Sequence, residues 1–533
     1  MLPVVLRTFT RGQCIARIPP SLFGPLKLFS ETGLRSLSNS PIDVKILCLQ
    51  RLVRLFAYGG STLILALYLS DLHNSDQRIG LFMTLTLWGD VILSFILTLV
   101  ADSTGRKRML VLGSLLMTAS GVVFATSSSY WVLVIASVFG VISPSGAEIG
   151  PFKAIEESAI SQLVSADDRS TVLAWYYMLG TWGSASGALC AGWVVKRLQD
   201  GQWSTIESYR IIFMGYAAMG VTKCVLSIAL SSRCERDYVL QEQRTAASDE
   251  IRPLLALRDN EECCTSYSYR TVTPQFPPGA SFTSSVSSRD SIASFTTEVS
   301  SSSTSATETT NTTTDAGKDT PSPLFSAPRP GLSQISYESR WLLLKICLIF
   351  MLDNLGSGII PESWQTLYFQ RKFHLEEGAL GSLFFTSRFL TSFSNLYAIP
   401  IVHRLGLIPT MILGHVPAAI CLALIPLPTL LPASAGLLVV RALFLDIDQA
   451  PRQAFLAAAF APTERTAVLG FINVIRTLCQ SVGPLITGVL ASVGQLWLCF
   501  VVAGVLKLVY DGLLLGTFVG YRTYEGRVTE EQD

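Results

Sequence analysis

Charge is scarce in this chain. Only 15% of its 533 residues are Asp, Glu, Lys or Arg, against about a quarter in soluble domains, and mean hydropathy is +0.44. That shortage argues against a soluble multidomain enzyme and against a disordered scaffold. A basic excess is missing as well: 40 Lys and Arg oppose 39 Asp and Glu, so no nucleic-acid partner is expected. The 11 cysteines include no CxxC pair, and of them only Cys263 and Cys264 are neighbours; neither a zinc site nor a secreted disulfide framework follows. Four widely spaced histidines offer no metal cluster. No HExxH helix, P-loop spacing or Ser-His-Asp order occurs, so neither an enzyme nor an ATP-driven pump is expected, and no cofactor.

What the chain has is apolar length. A spanning helix needs about 20 largely apolar residues. Twelve stretches meet that test, near 52–70, 79–101, 109–127, 131–152, 171–195 and 210–230, then near 342–368, 379–401, 406–427, 432–457, 466–491 and 496–518. They predict an all-α membrane protein of twelve transmembrane helices in two six-helix bundles, over 51–232 and 341–520. Between the bundles, 233–340 is polar, and Ser281 to Asp315 is mostly Ser and Thr. Such a composition cannot offset ordering entropy and predicts a disordered cytosolic linker. Residues 1–50 and 521–533 are the expected cytosolic tails.

Lys and Arg near the helix ends set orientation. Arg35, Lys45, Arg51 and Arg54, then Arg106, Lys107 and Arg108, then Arg233 and Arg236 fall on one side if both termini are cytosolic; Lys196, Arg197, Arg371 and Lys372 fall on the other. The first 40 residues, rich in Arg and Ser with Glu31 as their one acid, fit a basic cytosolic tail or a mitochondrial transit peptide.

The two halves repeat. Asp168-Arg169-Ser170-Thr171-Val172-Leu173-Ala174 in the first matches Glu464-Arg465-Thr466-Ala467-Val468-Leu469-Gly470 in the second. Gly187 and Gly192 follow Arg169 at the same distances as Gly483 and Gly488 follow Arg465, and Glu148-x-x-Pro151 pairs with Asp448-x-x-Pro451. Duplicated halves joined by a long loop are the architecture that exposes a midplane site to each side in turn, and the small residues Gly180, Gly183, Gly187, Gly192, Gly483 and Gly488 permit close helix approach.

With those features the chain resembles the major facilitator superfamily over everything but its tails and linker. Asp102-Ser103-Thr104-Gly105-Arg106-Lys107-Arg108 is similar to that family's loop between the second and third helices, with Thr98 where Gly is usual and Ser103 where a basic residue is common. The resemblance implies a gating loop: Asp102 capping the eleventh helix in one conformation, and Arg106 pairing with Glu156 or Glu157. The second-half counterpart, His403-Arg404-Leu405-Gly406, is degenerate. Arg54-Leu55-Phe56-Ala57-Tyr58-Gly59, Asp353-Asn354-Leu355-Gly356-Ser357-Gly358 and Asp448-Gln449-Ala450-Pro451-Arg452-Gln453 resemble a fungal and prokaryotic branch whose substrates are largely unassigned. The glycine-proline signature of antiporters is incomplete in the fifth helix, where Ala188 follows Gly187, and stands instead as Gly483-Pro484.

An ionisable group at mid-bilayer costs at least about 2.5 kcal/mol and signals a task or a partner. Arg54, Asp90, Glu148, Asp353, Arg388, Arg441, Asp446, Asp448 and Arg476 lie inside apolar stretches, with Arg452 one turn beyond Asp448 and Tyr58 one turn beyond Arg54. Together with Asn354 these are the candidates for a substrate and proton pathway. Two carboxylates sharing one Arg in a low-dielectric cavity should couple, so Asp446, Asp448, Glu148 and Asp353 are expected to include the proton-coupling group. Both charge signs are present, and neither substrate sign is chosen. The absence of clustered soft or oxygen-only ligands favours a small organic solute over a metal ion.

Glu250, Leu254 and Leu255 form an acidic dileucine pattern that a sorting adaptor reads, so vacuolar and plasma membranes are both in play. The Asn311-Thr312-Thr313 sequon would sit in the cytosol, away from glycosylation. The expectation is a proton-coupled secondary transporter of a small organic solute, in contact with lipid and with no metal. The alternative is a non-transporting sensor that keeps the transporter fold.

Overall fold

The computed structural model describes residues 34–140, 142, 144, 151–231, 234, 337–460 and 464–518. The linker, the outer parts of both tails, the dileucine pattern at Glu250, Leu254 and Leu255, and Glu148 lie outside them. Sixteen helices are described. In the first half they are α1 (Leu34–Asn39), α2 (Ile42–Asp71), α3 (Asp76–Thr104), α4 (Arg106–Thr126), α5 (Tyr130–Gly140), α6 (Pro151–Leu163), α7 (Ala166–Asp200) and α8 (Thr205–Ala229). In the second they are α9 (Tyr337–Ile359), α10 (Glu362–Phe373), α11 (Glu377–Leu405), α12 (Leu407–Leu424), α13 (Leu431–Phe444), α14 (Gln449–Ala459), α15 (Arg465–Ser492) and α16 (Leu496–Phe518). Seven are by themselves long and apolar enough to cross a membrane. The whole is an all-α membrane fold of twelve spans in two bundles.

Among the described residues three spans are interrupted, the fourth (α5, α6), the seventh (α9, α10) and the tenth (α13, α14). At the seventh, Pro361 lacks the N–H that would continue the ladder and becomes the residue before α10. The carbonyls so released are answered by side chains: Gln365 Nε2 donates to Ile360 O at 2.9 Å, and the Thr487 hydroxyl donates to Ile359 O. Broken backbone at membrane depth persists only with such substitutes or beside a cavity.

The first span starts at Ile42, ten residues before its apolar run. The extra turns hold polar groups with partners, such as Asp43, which accepts from Ser231 N at 2.9 Å and Ser231 Oγ at 2.6 Å. The third and ninth spans each open on a glycine in left-handed backbone, Gly105 at φ 92° and Gly406 at φ 85°, a conformation other residues adopt only with strain. The tight turn of the Asp102–Arg108 loop is therefore duplicated in the second half, although its charges are not.

Within the bundles, α2 packs on α7 and α8, α4 on α8, α9 on α15 and α16, and α12 on α16; between them, α7 meets α11 and α3 meets α15. The apolar interior is divided unevenly. Where the first span ends (the far end), one core joins both bundles: Leu65, Tyr68 and Phe213 of the first belong with Trp364, Leu367 and Phe500 of the second. Toward the end where the first span begins, there are two cores. One is built from first-bundle residues such as Val44, Phe152 and Val172, the other from second-bundle residues such as Phe350, Phe455 and Tyr510.

Candidate translocation site

At the far end the bundles meet in repeat-related crossings. Gly80, four residues into α3, lies against Pro484 O and Gly488 of α15; Gly381, four residues into α11, lies against Ala188 O and Gly192 of α7. Polar contacts line the seam. Arg371 Nη2 pairs with Asp76 Oδ1 at 2.7 Å, Tyr209 donates to Glu377 Oε1 at 2.8 Å, Gln77 donates to Ser492 at 3.2 Å, and Lys196 pairs with Glu376.

Near mid-depth the broken seventh span meets the first bundle. Ser363 Oγ lies 2.8 Å from both Thr62 O and Pro144 O. Glu362 holds Arg388 of α11 through Nε at 2.7 Å, and Arg388 Nη1 reaches Ser184 O of α7 at 3.0 Å. Trp182 of α7 donates to Ser392 of α11 at 3.2 Å. These hydrogen bonds between the bundles lie at this depth and farther toward the far end.

Each bundle also encloses a buried ion cluster. In the first, Glu156 of α6 accepts from Arg54 of α2 at 2.7 Å and from Tyr176 of α7 at 2.6 Å, with Lys223 of α8 at 3.7 Å. Glu156 is fully buried and Arg54 and Lys223 nearly so. In the second, Asp353 of α9 accepts from Arg452 of α14 at 3.0 Å, from Lys507 of α16 at 2.7 Å, and contacts His415 Nε2 of α12 at 3.1 Å. Arg452 also pairs with Asp448, and His415 Nδ1 lies 2.9 Å from Asp511 Oδ2.

The two clusters occupy corresponding places. Glu156 stands thirteen residues before Arg169 and Arg452 thirteen before Arg465; Lys223 and Lys507 each follow a Gly-Val-x. Arg54 and Asp353 each lie five residues before a glycine, Gly59 and Gly358, whose Cβ would strike the matching residues Ser184 and Gln480. The base-to-acid pair between first and fourth spans becomes an acid-to-base pair between seventh and tenth.

Other candidates distribute as follows. Tyr58 stacks on Tyr216 with centroids 6.1 Å apart. Asn354 donates to Phe350 O and accepts from Arg476 Nε at 3.4 Å. Asp90 is buried, and its Oδ1 has no hydrogen-bond partner among the described residues. Arg441 makes no described hydrogen bond or ion pair. Asp446 accepts from Gln449 at 2.8 Å, and of that expected pair Asp448 is the one in ion-pair contact with the arginine among the described residues. In the loop between the second and third spans, Arg106 donates to Gln162 at 2.6 Å and Ser158 at 2.9 Å, whereas Glu156 goes to the first-bundle cluster and Glu157 accepts from Tyr177. Lys107 reaches Leu230 O at 2.6 Å, Arg108 is exposed, and the side chain of Asp102 lies outside the described residues.

Sequence reading passed over Lys223, Glu362, His415, Lys507 and Asp511. The signal was present: all five fall within expected spans and meet the same intramembrane-charge criterion as Asp353.

The family model of the Major Facilitator Superfamily matches residues 47–286 and 346–532. The chain belongs to the major facilitator superfamily. It is an integral, multi-pass membrane protein of a transport family. The uncharacterized membrane protein YJR124C of Saccharomyces cerevisiae is 32% identical over 481 residues, covering 90% of this chain and 94% of that protein. Among solved folds, the inward-open xylose transporter XylE from E. coli superposes with TM-score 0.59 at 14% identity, over 91% of this chain and 99% of its own. An inward-facing, unoccupied bacterial homologue of the human lysosomal transporter Spinster does so with TM-score 0.57 at 13% identity, over 89% and 95%.

Proposed function

We propose that this superfamily member is a secondary active carrier that moves a small organic solute across a vacuolar or plasma membrane by alternating access, with proton coupling and both termini in the cytosol. The observation that carries the reading is the divided interior: one core shared by both bundles at the far end, and a separate core in each bundle at the other. Two bodies that are each internally packed, and that among the described residues share a core at one end, can rock about their shared seam without either unfolding. With cytosolic termini, the described conformation is closed to the outside or lumen and open to the cytosol. The broken seventh span supports a midplane site, because it brings Glu362, Ser363 and Asn354 to the depth at which the bundles meet. Charges of both signs near that depth, Arg388, Arg441 and Arg476 among them, suit a polar solute.

The test joins binding to movement. A thermal-stability screen of the purified protein against metabolites and drugs, at acid and neutral pH, identifies a stabilising solute. That solute should then show counterflow in liposomes. The double variant Gln77→Cys with Ser492→Cys, cross-linked across the far end, is expected to stop counterflow, and reduction to restore it. A solute that binds without any counterflow would move the reading to a sensor. Counterflow that continues with the cross-link fully formed would refute alternating access at this seam.

A further inference from the structure

We infer that His415, held between Asp353 and Asp511, is the proton-carrying site that biases the carrier between its two conformations. This rests on the proton-coupled reading above and adds the group that carries the proton.

The geometry is a matter of counting hydrogens. Asp353 Oδ1 lies 3.1 Å from Nε2 and Asp511 Oδ2 lies 2.9 Å from Nδ1. A neutral imidazole has one N–H and can satisfy one ionised carboxylate; satisfying both takes a second proton on the ring or one on a carboxyl. The triad thus binds a proton that the two carboxylates share with the ring. Taking it from water forms the second N–H. Releasing it returns the ring to one N–H and leaves one carboxylate without that donor.

The charges around it make the step consequential. From α9 comes Asp353; from α16 come Lys507, Asp511 and the ring of Tyr510, 5.2 Å from the imidazole; from α14, Arg452 and Asp448 join through Asp353. Among the described residues, α11 and α13 supply no charged group hydrogen-bonded or ion-paired to His415. Arg476 on α15 reaches Asn354 beside Asp353. The directly bonded set therefore holds three carboxylates against Lys507 and Arg452, and an imidazolium balances it.

The duplicated architecture separates this role from mere packing. His415 stands nine residues after Gly406 and Ser114 nine after Gly105; Asp511 stands four after Lys507 and Ser227 four after Lys223. In the first bundle the equivalent contact is Ser114 Oγ to Ser227 Oγ at 3.4 Å, between neutral hydroxyls. The same helix pair is thus built without charge in one half. Placing an ionisable pair there in the other half is costly in a membrane unless it has a task.

The site is also connected to the seam. Asp353 lies on α9, which continues through Ile360 and Pro361 into α10. There Glu362 holds Arg388 of α11, which donates to Ser184 O, and Ser363 donates to Thr62 O. A change in how Asp353 is held therefore acts on the segment that contacts the first bundle.

Two measurements on the full chain test this. The first is nitrogen NMR of protein labelled in its four histidines, with the His415 signal assigned by its loss in His415→Gln. The ring should carry two protons at the acid end of about pH 5 to 8, and one across that range in Asp511→Asn. A ring with one proton throughout in the native protein would overturn the assignment. The second uses pH as the only probe: spin labels at Gln77→Cys and Ser492→Cys, in a background whose accessible cysteines are replaced by serine, report the fraction closed at the far end. The ratio of closed to open should change at least about fivefold across that pH range, the lower end of ordinary coupling energies. It should become pH-independent in His415→Gln and in Asp511→Asn, the second variant guarding against misfolding of the first. A pH response that survives in both variants overturns His415 alone. A native protein whose closure ignores pH overturns proton coupling as well, while the cross-link and counterflow test judges alternating access separately.

Discussion

Glu156→Gln is expected to be the most damaging single exchange in the first bundle. The substitution keeps the shape of the side chain and takes away the carboxylate that both Arg54 and Lys223 reach. Removing one partner of a buried ion cluster costs about 3–5 kcal/mol, a large fraction of the stability of most folds. Fluorescence size-exclusion profiles and melting of purified protein should show little folded material and a strongly lowered Tm. The second bundle supplies the rescue. Its cluster has an acid at the position of Arg54 and a base at the position of Glu156, with a lysine retained in the place of Lys223. The double exchange Arg54→Glu with Glu156→Arg therefore rebuilds the arrangement of Asp353, Arg452 and Lys507, and should recover most of the lost Tm where each single exchange does not. A double variant no better than the singles would refute the correspondence between the clusters.

Gly488→Leu should act on conformation and spare the fold. A side chain at Gly488 would meet Asp76 O and the backbone of Gly80, across the seam from its own bundle. Overpacking of that kind costs about 1–3 kcal/mol, felt only when the far end closes. An equilibrium bias of that size is about a 5–150-fold shift toward molecules open at the far end. Cross-linking between positions 77 and 492 should fall by such a factor, with the Tm nearly unchanged. Gly192→Leu, the repeat-related exchange against Glu377 O and Gly381, should do the same. Unaltered cross-linking in a well-folded Gly488→Leu protein would refute closure at this crossing.

Much of the fold was legible because a bilayer imposes length and apolarity on every span, and the duplication left registered markers at Arg169 and Arg465. Interruptions were harder to read. Pro361 was visible, but the loss of helix there depends on whether Gln365 and Thr487 stand ready to satisfy the released carbonyls. At the candidate site, single intramembrane charges were legible and their partners were not. Arg54 and Glu156 are 102 residues apart, and which acid an arginine meets is fixed by bundle geometry. Hence Arg106, expected to meet Glu156 or Glu157, donates instead to Gln162 and Ser158. A lone histidine such as His415 carries no spacing signal of its own. Its meaning lay in the two carboxylates that the packing of two other spans brings to its ring nitrogens.

The reversed polarity of the two clusters bears on how the chain assembles during synthesis. Six spans of one half enter the membrane beside six of similar length and packing, and a duplicated sequence invites a helix to dock in the wrong half. The first span in the seventh span's berth would set Arg54 against Arg452. The seventh in the first span's berth would set Asp353 against Glu156. Either mistake buries like charges side by side in a medium that screens them poorly. The swapped signs work as a key cut differently for each lock, so that halves alike in shape still sort their own helices.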